Sequence, residues 1–463
     1  NKTTSLVETL TTAAGTYTYT YDAAGNILSI SDGAYLLSYQ YDGLNRLIRE
    51  NDERAGKTYT YEYAQGNITK KKEYAYTTGT VSGTPLNVTE WEYGNAEWGD
   101  LLTNWNGQPL EYDSIGNLTA FGTEGAARRE LFWNGRQLKS IRLGQGAAAT
   151  SILYEYNSDG LRISRTTTDA DGQAAVTKYI YNGDILAGEI RDDGKSLLFY
   201  YDNNGQPFGL RYNGTDYYYL RNLQNDVAAI ADGTGAIAAR YYYDAWGNLL
   251  SGTDGAGHAV TDAEHIGLVN PIRYRGYYYD SDTGYYWLNS RYYDPVVGRW
   301  ISPEPNVYDG EFDENAGLIG YNVYAYCANN PIMYKDETGE SITLCILIGA
   351  GIGLVAGGVF GAYRANKNGY SPSDGWKYWK YVVGYGVAGG AIGALVGWGA
   401  GALIAKYGVA TAATSITKGG GARFPSFSAL KRSLGSAGRG KQWHHIVEQC
   451  QIGKSGFSKY WIQ

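Results

Sequence analysis

One phrase recurs along the chain and restricts its fold more than any other feature. It reads Tyr19-Thr20-Tyr21-Asp22, then two small residues, then Gly25-Asn26-Ile27-Leu28. It returns as Tyr39-Gln40-Tyr41-Asp42 with Asn45-Arg46-Leu47, as Tyr61-Glu62-Tyr63 with Gly66-Asn67-Ile68, and as Tyr112-Asp113 with Gly116-Asn117-Leu118. Further copies are Tyr154-Glu155-Tyr156-Asn157 with Gly160-Leu161, Tyr200-Tyr201-Asp202 with Gly205, and Tyr242-Tyr243-Asp244 with Gly247-Asn248-Leu249. Side chains alternate along a strand, so Tyr-x-Tyr sets two rings on one face. Asp-x-x-Gly-Asn supplies the turn, because Gly and Asn tolerate positive φ. Each copy is therefore a hairpin. A lone hairpin is marginal in water, so the copies must pair edge to edge over a shared aromatic face. The expected fold class is mainly β, a long curved antiparallel sheet. Packing is the ordinary use of such tyrosines; a sugar-binding aromatic face is the second use.

Composition supports the same class: 46 Tyr, 64 Gly and 12 Trp stand against 10 Pro and 1 Met among 463 residues. That length excludes a small disulfide-stapled fold. The 3 cysteines, Cys327, Cys345 and Cys450, lie at unrelated spacings with no Cys-x-x-Cys, which argues against a disulfide framework or a cysteine zinc site. The net charge of -7 conceals a polarity. Residues 341–463 hold most of their ionised side chains as Lys and Arg, so the first 340 residues carry the whole acidic excess and meet a different environment or partner. The chain opens at Asn1 and is inside a repeat by Tyr17, which reads as a fragment, any secretion signal having been lost or lying upstream.

The phrase and its period resemble the tyrosine-aspartate (YD) repeat of the rearrangement-hotspot (RHS) family. The resemblance sharpens at Asn270-Pro271-Ile272-Arg273-Tyr274-Arg275-Gly276-Tyr277-Tyr278-Tyr279-Asp280, continues through Leu288-Asn289-Ser290-Arg291-Tyr292-Tyr293-Asp294-Pro295 and Gly298-Arg299-Trp300-Ile301-Ser302, and reaches Asn329-Asn330-Pro331. This run is similar to the RHS-associated core, the segment that closes the repeat shell. The resemblance implies a hollow β cocoon, wound from a spiralling sheet, that encloses a variable C-terminal toxin. It also implies a plug that cuts the chain after a DPxGL-like motif with two carboxylates near an arginine. By matching position, Arg291 is that arginine, Glu304 stands for the first aspartate, and Asp336 is the second, with scission after Glu340. The chemistry needs close carboxylates, since like-charge repulsion lets one acid and one base coexist near neutrality, while Arg291 orients one of them or stabilises oxyanion charge. Glu304 is a methylene longer than aspartate, and Glu337 and Glu340 replace the usual proline and leucine. The alternative for these residues is a plain Arg291–Asp336 ion pair with Glu304 in solvent.

Two stretches after the core, 342–362 and 381–405, contain no charged residue, and each is long enough to span a bilayer as a helix. Gly353, Gly357 and Gly361, then Gly389, Gly393, Gly397 and Gly401, fall four apart and so line one helical face. Between the stretches lie Arg364, Lys367, Lys377 and Lys380 with Trp376 and Trp379, a suitable interfacial anchor. The expectation is a glycine-zipper helical hairpin in a membrane, with a buried glycine-rich pair or apolar cargo as its alternative. Residues 406–463 are strongly basic, with Glu448 their one acid, and suit nucleic acid or, next to such a hairpin, anionic lipid. Within them, Lys441-Gln442-Trp443-His444-His445-Ile446 resembles the start of an HNH/endonuclease VII toxin of the WHH kind, which implies His444 as metal ligand and His445 as general base. No His or Asn follows His445, so the second half of that motif is missing and nuclease activity is not expected. A divalent metal would enter only with a completed motif, and the shell needs no cofactor. Trp461-Ile462-Gln463 reads as a truncation or frameshift.

The expected organisation is thus a YD-repeat shell over 1–250, an RHS-associated core with its self-cleavage plug over 251–340, the apolar hairpin over 341–405 and the basic tail over 406–463. The expected function is part of a secreted or surface-bound, membrane-associated bacterial polymorphic toxin acting in competition between cells. Its partners would be its own C-terminal toxin, a membrane, nucleic acid and a cognate immunity protein. The alternative is a surface adhesin that binds glycans with the aromatic shell. His258 and His265 read as plain surface residues.

Overall fold

The computed structural model describes residues 6–125, 127–203, 205–305, 322–336, 338–339 and 342–344. The chain divides into Asn1–Ile348 and Gly349–Gln463, and every described residue belongs to the first unit. The basic tail with His444 and His445, the segment 381–405 and nearly all of 342–362 lie outside the described residues. Among the described residues no helix is long and apolar enough to cross a membrane.

Strands from Thr9–Thr12 to Leu249–Asp254 form one 23-stranded sheet, and each pairs antiparallel with its neighbours in sequence. This meander is what serial hairpins must give when no crossover intervenes. The turns use the Asp of the repeat as a local acceptor. Asp22 Oδ1 accepts from the backbone N–H of Ala24 at 2.9 Å and of Asn26 at 2.8 Å, and Asp113 and Asp244 repeat the pattern. Asn26, Asn117 and Asn248 each donate a side-chain N–H back to the second oxygen of that Asp at 2.9 Å. Turn and side chain thereby satisfy each other, which explains the Asp-x-x-Gly-Asn spelling.

The two tyrosines of each repeat do different work, and this departs from simple alternation. The first is core: Tyr19, Tyr39, Tyr61 and Tyr154 are all buried. Between first and second the register slips, at Thr20/Tyr21, Gln40/Tyr41, Glu62/Tyr63 and Glu155/Tyr156. Past this bulge the second hydroxyl reaches back along the sheet. Tyr41 donates to Ile27 O at 2.7 Å, Tyr63 to Leu47 O at 2.6 Å, Tyr156 to Leu138 O at 2.9 Å and Tyr201 to Leu186 O at 2.8 Å. Each second tyrosine thus ties its hairpin to the one before, and the bulges supply the local twist that curves a long sheet.

Against the aromatic face lies a smaller four-stranded sheet, Tyr278–Asp280, Tyr285–Leu288, Arg291–Asp294 and Arg299–Trp300, almost every residue of it buried. It is the plug. Its anchors come from wall strands far apart in sequence: Arg162 with Asp280, Tyr278 OH donating to Glu189 at 2.6 Å, and Arg299 donating to Asn67 at 2.9 Å. Two plug hydroxyls, those of Tyr293 and Tyr286, and that of Tyr274 just before the plug donate to the successive carbonyls of Trp246, Gly247 and Ala245 in the last repeat turn. The strand Tyr334–Asp336 then pairs with Ile342–Leu344. Helix is therefore not what begins the apolar stretch 342–362: a neighbouring strand offers its open edge, and Ile342 and Thr343 are β-branched.

Candidate self-cleavage site

Three segments deliver the residues singled out above. Arg291 opens the third plug strand, Glu304 follows the fourth, and Asp336 ends the strand Tyr334–Asp336. The Arg291 guanidinium is 3% exposed and lies over the Trp300 ring, 4.0 Å from its centroid. A planar guanidinium favours such a surface, and the ring fixes its plane. Its Nη2 is 2.5 Å from Glu304 Oε2 and 3.2 Å from Asp336 Oδ2, so both carboxylates reach one nitrogen atom. Glu304 is accordingly not left in solvent. Its backbone is held as well, N–H donating to Val323 O at 3.1 Å and C=O accepting from Arg136 at 3.3 Å. Val323 O also accepts from Arg291 Nη1 at 3.3 Å.

Asp336 is 1% exposed. Its Oδ1 accepts from the N–H of Gly339 at 2.7 Å and of Thr338 at 3.2 Å, closing the loop that leads toward Glu340. Its own N–H donates to Tyr277 OH at 2.9 Å. Burial, then Cys327 and Asp336 nearby, pushes the Tyr277 phenol well up, so it stays neutral and can accept that bond. The fourth polar contact of Arg291 is with the loop itself, its Nε donating to Gly339 O. Two carboxylates, one cation and the loop before Glu340 therefore meet in one buried place. Such an arrangement can hold a peptide carbonyl while one carboxyl group handles a proton of water and the other a proton of the leaving amine.

Some contributors were not foreseen. Ser290, Gly339, Tyr277 and Trp300 all touch the site or its loop, and the one sequence signal for Ser290 is its place beside Arg291. Of the remaining histidines, His258 is exposed beside Asp254, and His265 caps the short helix Ile266–Val269 by accepting from Gly267 N–H at 3.0 Å. Among the described residues no three His, Cys, Asp or Glu side chains are grouped to hold a metal.

A tyrosine-rich meander of hairpins gripping an aromatic plug defines a YD shell. The chain belongs to the teneurin YD-shell family, whose model matches residues 81–332. It is similar to the tRNA3(Ser)-specific nuclease WapA of Bacillus spizizenii, 31% identical over 318 residues that make up 67% of this chain and 12% of that protein. It is also similar to toxin protein Tse5 of Pseudomonas aeruginosa, 27% identical over 376 residues, 72% of this chain and 27% of that one. A solved Tc holotoxin pore of Photorhabdus luminescens shares the fold, with TM-score 0.57 and 22% identity over 71% of this chain and 17% of the matched one. The chain thus spans a small part of the length of the relatives it matches. RHS/YD-repeat toxins are its kin.

Proposed function

We propose that this chain is the closing part of a bacterial RHS-repeat toxin shell, secreted or held at the cell surface, whose plug hydrolyses its own backbone after Glu340 and frees residues 341–463. The observation that carries the reading is the Arg291 guanidinium, which holds Glu304, Asp336 and the carbonyl of Gly339 together. In this scheme one carboxylate takes a proton from a water molecule as it adds to the Glu340 carbonyl. The other carboxyl group gives a proton to the departing amine of Ser341, so one water is consumed and two chain ends form. Arg291 positions the acids and the loop. Glu304 reaches the guanidinium at 2.5 Å despite its extra methylene, which supports its standing in for aspartate.

The segment so released would carry the apolar stretches 342–362 and 381–405 to a membrane and the basic tail to nucleic acid, with an immunity protein as its antagonist. No nuclease step is assigned to His444 and His445. Intact mass of the purified chain tests the cutting step. Two fragments meeting at Glu340, replaced by one species near 50.6 kDa in Asp336→Asn, is the expected result. A single uncut species in the unaltered chain, or undiminished cutting in Asp336→Asn, overturns it.

A further inference from the structure

We propose that Ser290 and Gly339 set the register of the cut, Ser290 as a positioning residue that grips the loop and Gly339 as the one residue type the grip admits. The inference rests on the cleavage reading above and adds what decides which bond is presented.

Ser290 and Arg291 are consecutive in the plug, and they hold consecutive carbonyls of the loop. Ser290 Oγ donates to Thr338 O at 2.8 Å, and the Ser290 N–H approaches the same oxygen at 3.4 Å. Arg291 Nε donates to Gly339 O. The next carbonyl in the series is that of Glu340, the one to be attacked. Each gripped peptide unit fixes two backbone dihedrals, so the chain is already held in register through Gly339.

The grip is rigid because of where it sits. Asn289 and Ser290 form the tight connection between the strands Tyr285–Leu288 and Arg291–Asp294, with Leu288 paired to Arg291 and Asn289 at φ 59°. From the other side, Asp336 Oδ1 accepts from the N–H groups of Thr338 and Gly339, so both edges of these peptide units are engaged. Gly339 is closed in by the same connection. Its φ is +79°, and a Cβ there would stand 2.6 Å from Ser290 Oγ, 3.0 Å from Leu288 O and 3.2 Å from Arg291 N. Two of those atoms are backbone and cannot swing away, so any side chain lifts the loop off both anchors. Displacements of about 1 Å at a reacting centre cost on the order of a hundredfold in rate.

The test is to synthesise the full chain in a cell-free system, follow the uncut chain with time, and locate the new ends by mass. Unaltered chain should give one end, after Glu340. Ser290→Ala should cut about tenfold slower, as loss of one hydrogen bond implies, and should spread its ends onto neighbouring bonds. Ser290→Thr keeps the hydroxyl and should restore the single end. Gly339→Ala should stay uncut, whereas Gly25→Ala, strained at a comparable positive φ away from the site, should still cut. A merely structural serine would lower the melting temperature without moving the cut. A second readout does not depend on self-cleavage: an added glutamyl endopeptidase should cut after Glu340 about tenfold faster in Ser290→Ala/Glu304→Gln than in Glu304→Gln alone. Single-ended cutting at the unaltered rate in Ser290→Ala overturns the inference and spares the cleavage reading. An unaltered chain that never cuts overturns the cleavage reading, and the endopeptidase rates then decide the grip: unchanged rates overturn it, faster ones uphold it.

Discussion

The contact between Arg162 and Asp280 offers the sharpest test of how the wall holds the plug. Both side chains are fully enclosed, with Arg162 Nη1 2.5 Å from one Asp280 oxygen and Nη2 3.2 Å from the other. Tyr179 OH and Tyr292 OH accept from the same guanidinium at 3.0 and 3.2 Å, and the Trp287 ring lies 4.0 Å from it. Burial alone would push the Arg162 guanidinium down, but Asp280 and the surrounding tyrosines hold it well up. Arg165 adds a second cation, 3.0 Å from Asp280. Asp280→Asn keeps the shape and strands the Arg162 guanidinium without its carboxylate, while Arg165 keeps Asp282 at 3.5 Å. Removing one partner of a buried pair costs about 3–5 kcal/mol, and loss of attraction between Arg162 and Arg165's common counter-ion belongs to that figure. At about 1.4 kcal/mol per factor of ten, the strands Tyr278–Asp280 and Arg162–Thr168 should open more than a hundredfold more often. Hydrogen–deuterium exchange of their amides reads this directly and needs no assumption that the whole chain unfolds in one step. Arg162→Met, which leaves an apolar side chain among the rings, should recover part of the loss when combined with Asp280→Asn. Unchanged exchange in Asp280→Asn, or strictly additive effects in the pair of variants, would refute the reasoning.

Two further outcomes follow from other buried groups. Glu50 is fully enclosed, accepting from Tyr61 OH at 3.0 Å and Ala245 N–H at 3.1 Å; burial first, then Asp244, pushes its carboxyl up to about 8, with Lys71 opposing. Its folded pKa exceeds the unfolded value of about 4.3, so the stability it contributes is whole at acid pH and drains away as pH rises toward 8. Glu50→Gln should therefore gain on the unaltered chain between pH 5 and pH 9 in denaturation midpoint, and parallel pH profiles would contradict the assignment. Gly247 has φ +93°, and a Cβ there would stand 2.6 Å from the Tyr274 ring, itself pinned through its hydroxyl to Ala245 O. Gly247→Ala should cost about 2–4 kcal/mol through backbone strain and overpacking. Gly25→Ala, at φ +91° in the same turn of an earlier repeat with nothing within 4 Å, should cost only about 1–2 kcal/mol in a thermal melt.

How far the sequence disclosed this structure depends on the range of each interaction. The hairpin, its turn and the alternation of buried and exposed residues are local, so Asp22, Gly25 and Asn26 announce them in a few positions. The bulge before each second tyrosine is not announced, because it answers to a carbonyl some fifteen residues back that Tyr41 or Tyr201 can reach only once the sheet exists. Nothing near Arg162 marks it as the latch for Asp280, 118 residues on. Arg291, Glu304 and Asp336 were placed by resemblance, and their meeting at one nitrogen is a tertiary fact. Ser290 carried no signal beyond its neighbour, since a lone serine in a tight turn is ordinary.

The dispersal of the site along the chain bears on when it can act. Arg291 is held by the plug sheet, Glu304 by Val323 and Arg136, and Asp336 by Tyr277 and the loop it closes. Arg136 belongs to the wall, between the strands Arg129–Asn134 and Gln137–Leu143, so one arm of the site is braced from outside the plug. Tyr277 in turn accepts from Tyr326, whose ring stacks on Tyr293 at 3.9 Å between centroids, and Tyr293 donates to the last repeat turn at Trp246 O. Positioning of the two carboxylates thus depends on wall, plug and final hairpin together. On the proposed reading, a chain whose plug has not docked presents scattered acids to a slack loop and is not cut, so cutting reports a closed shell rather than the mere presence of Arg291, Glu304 and Asp336.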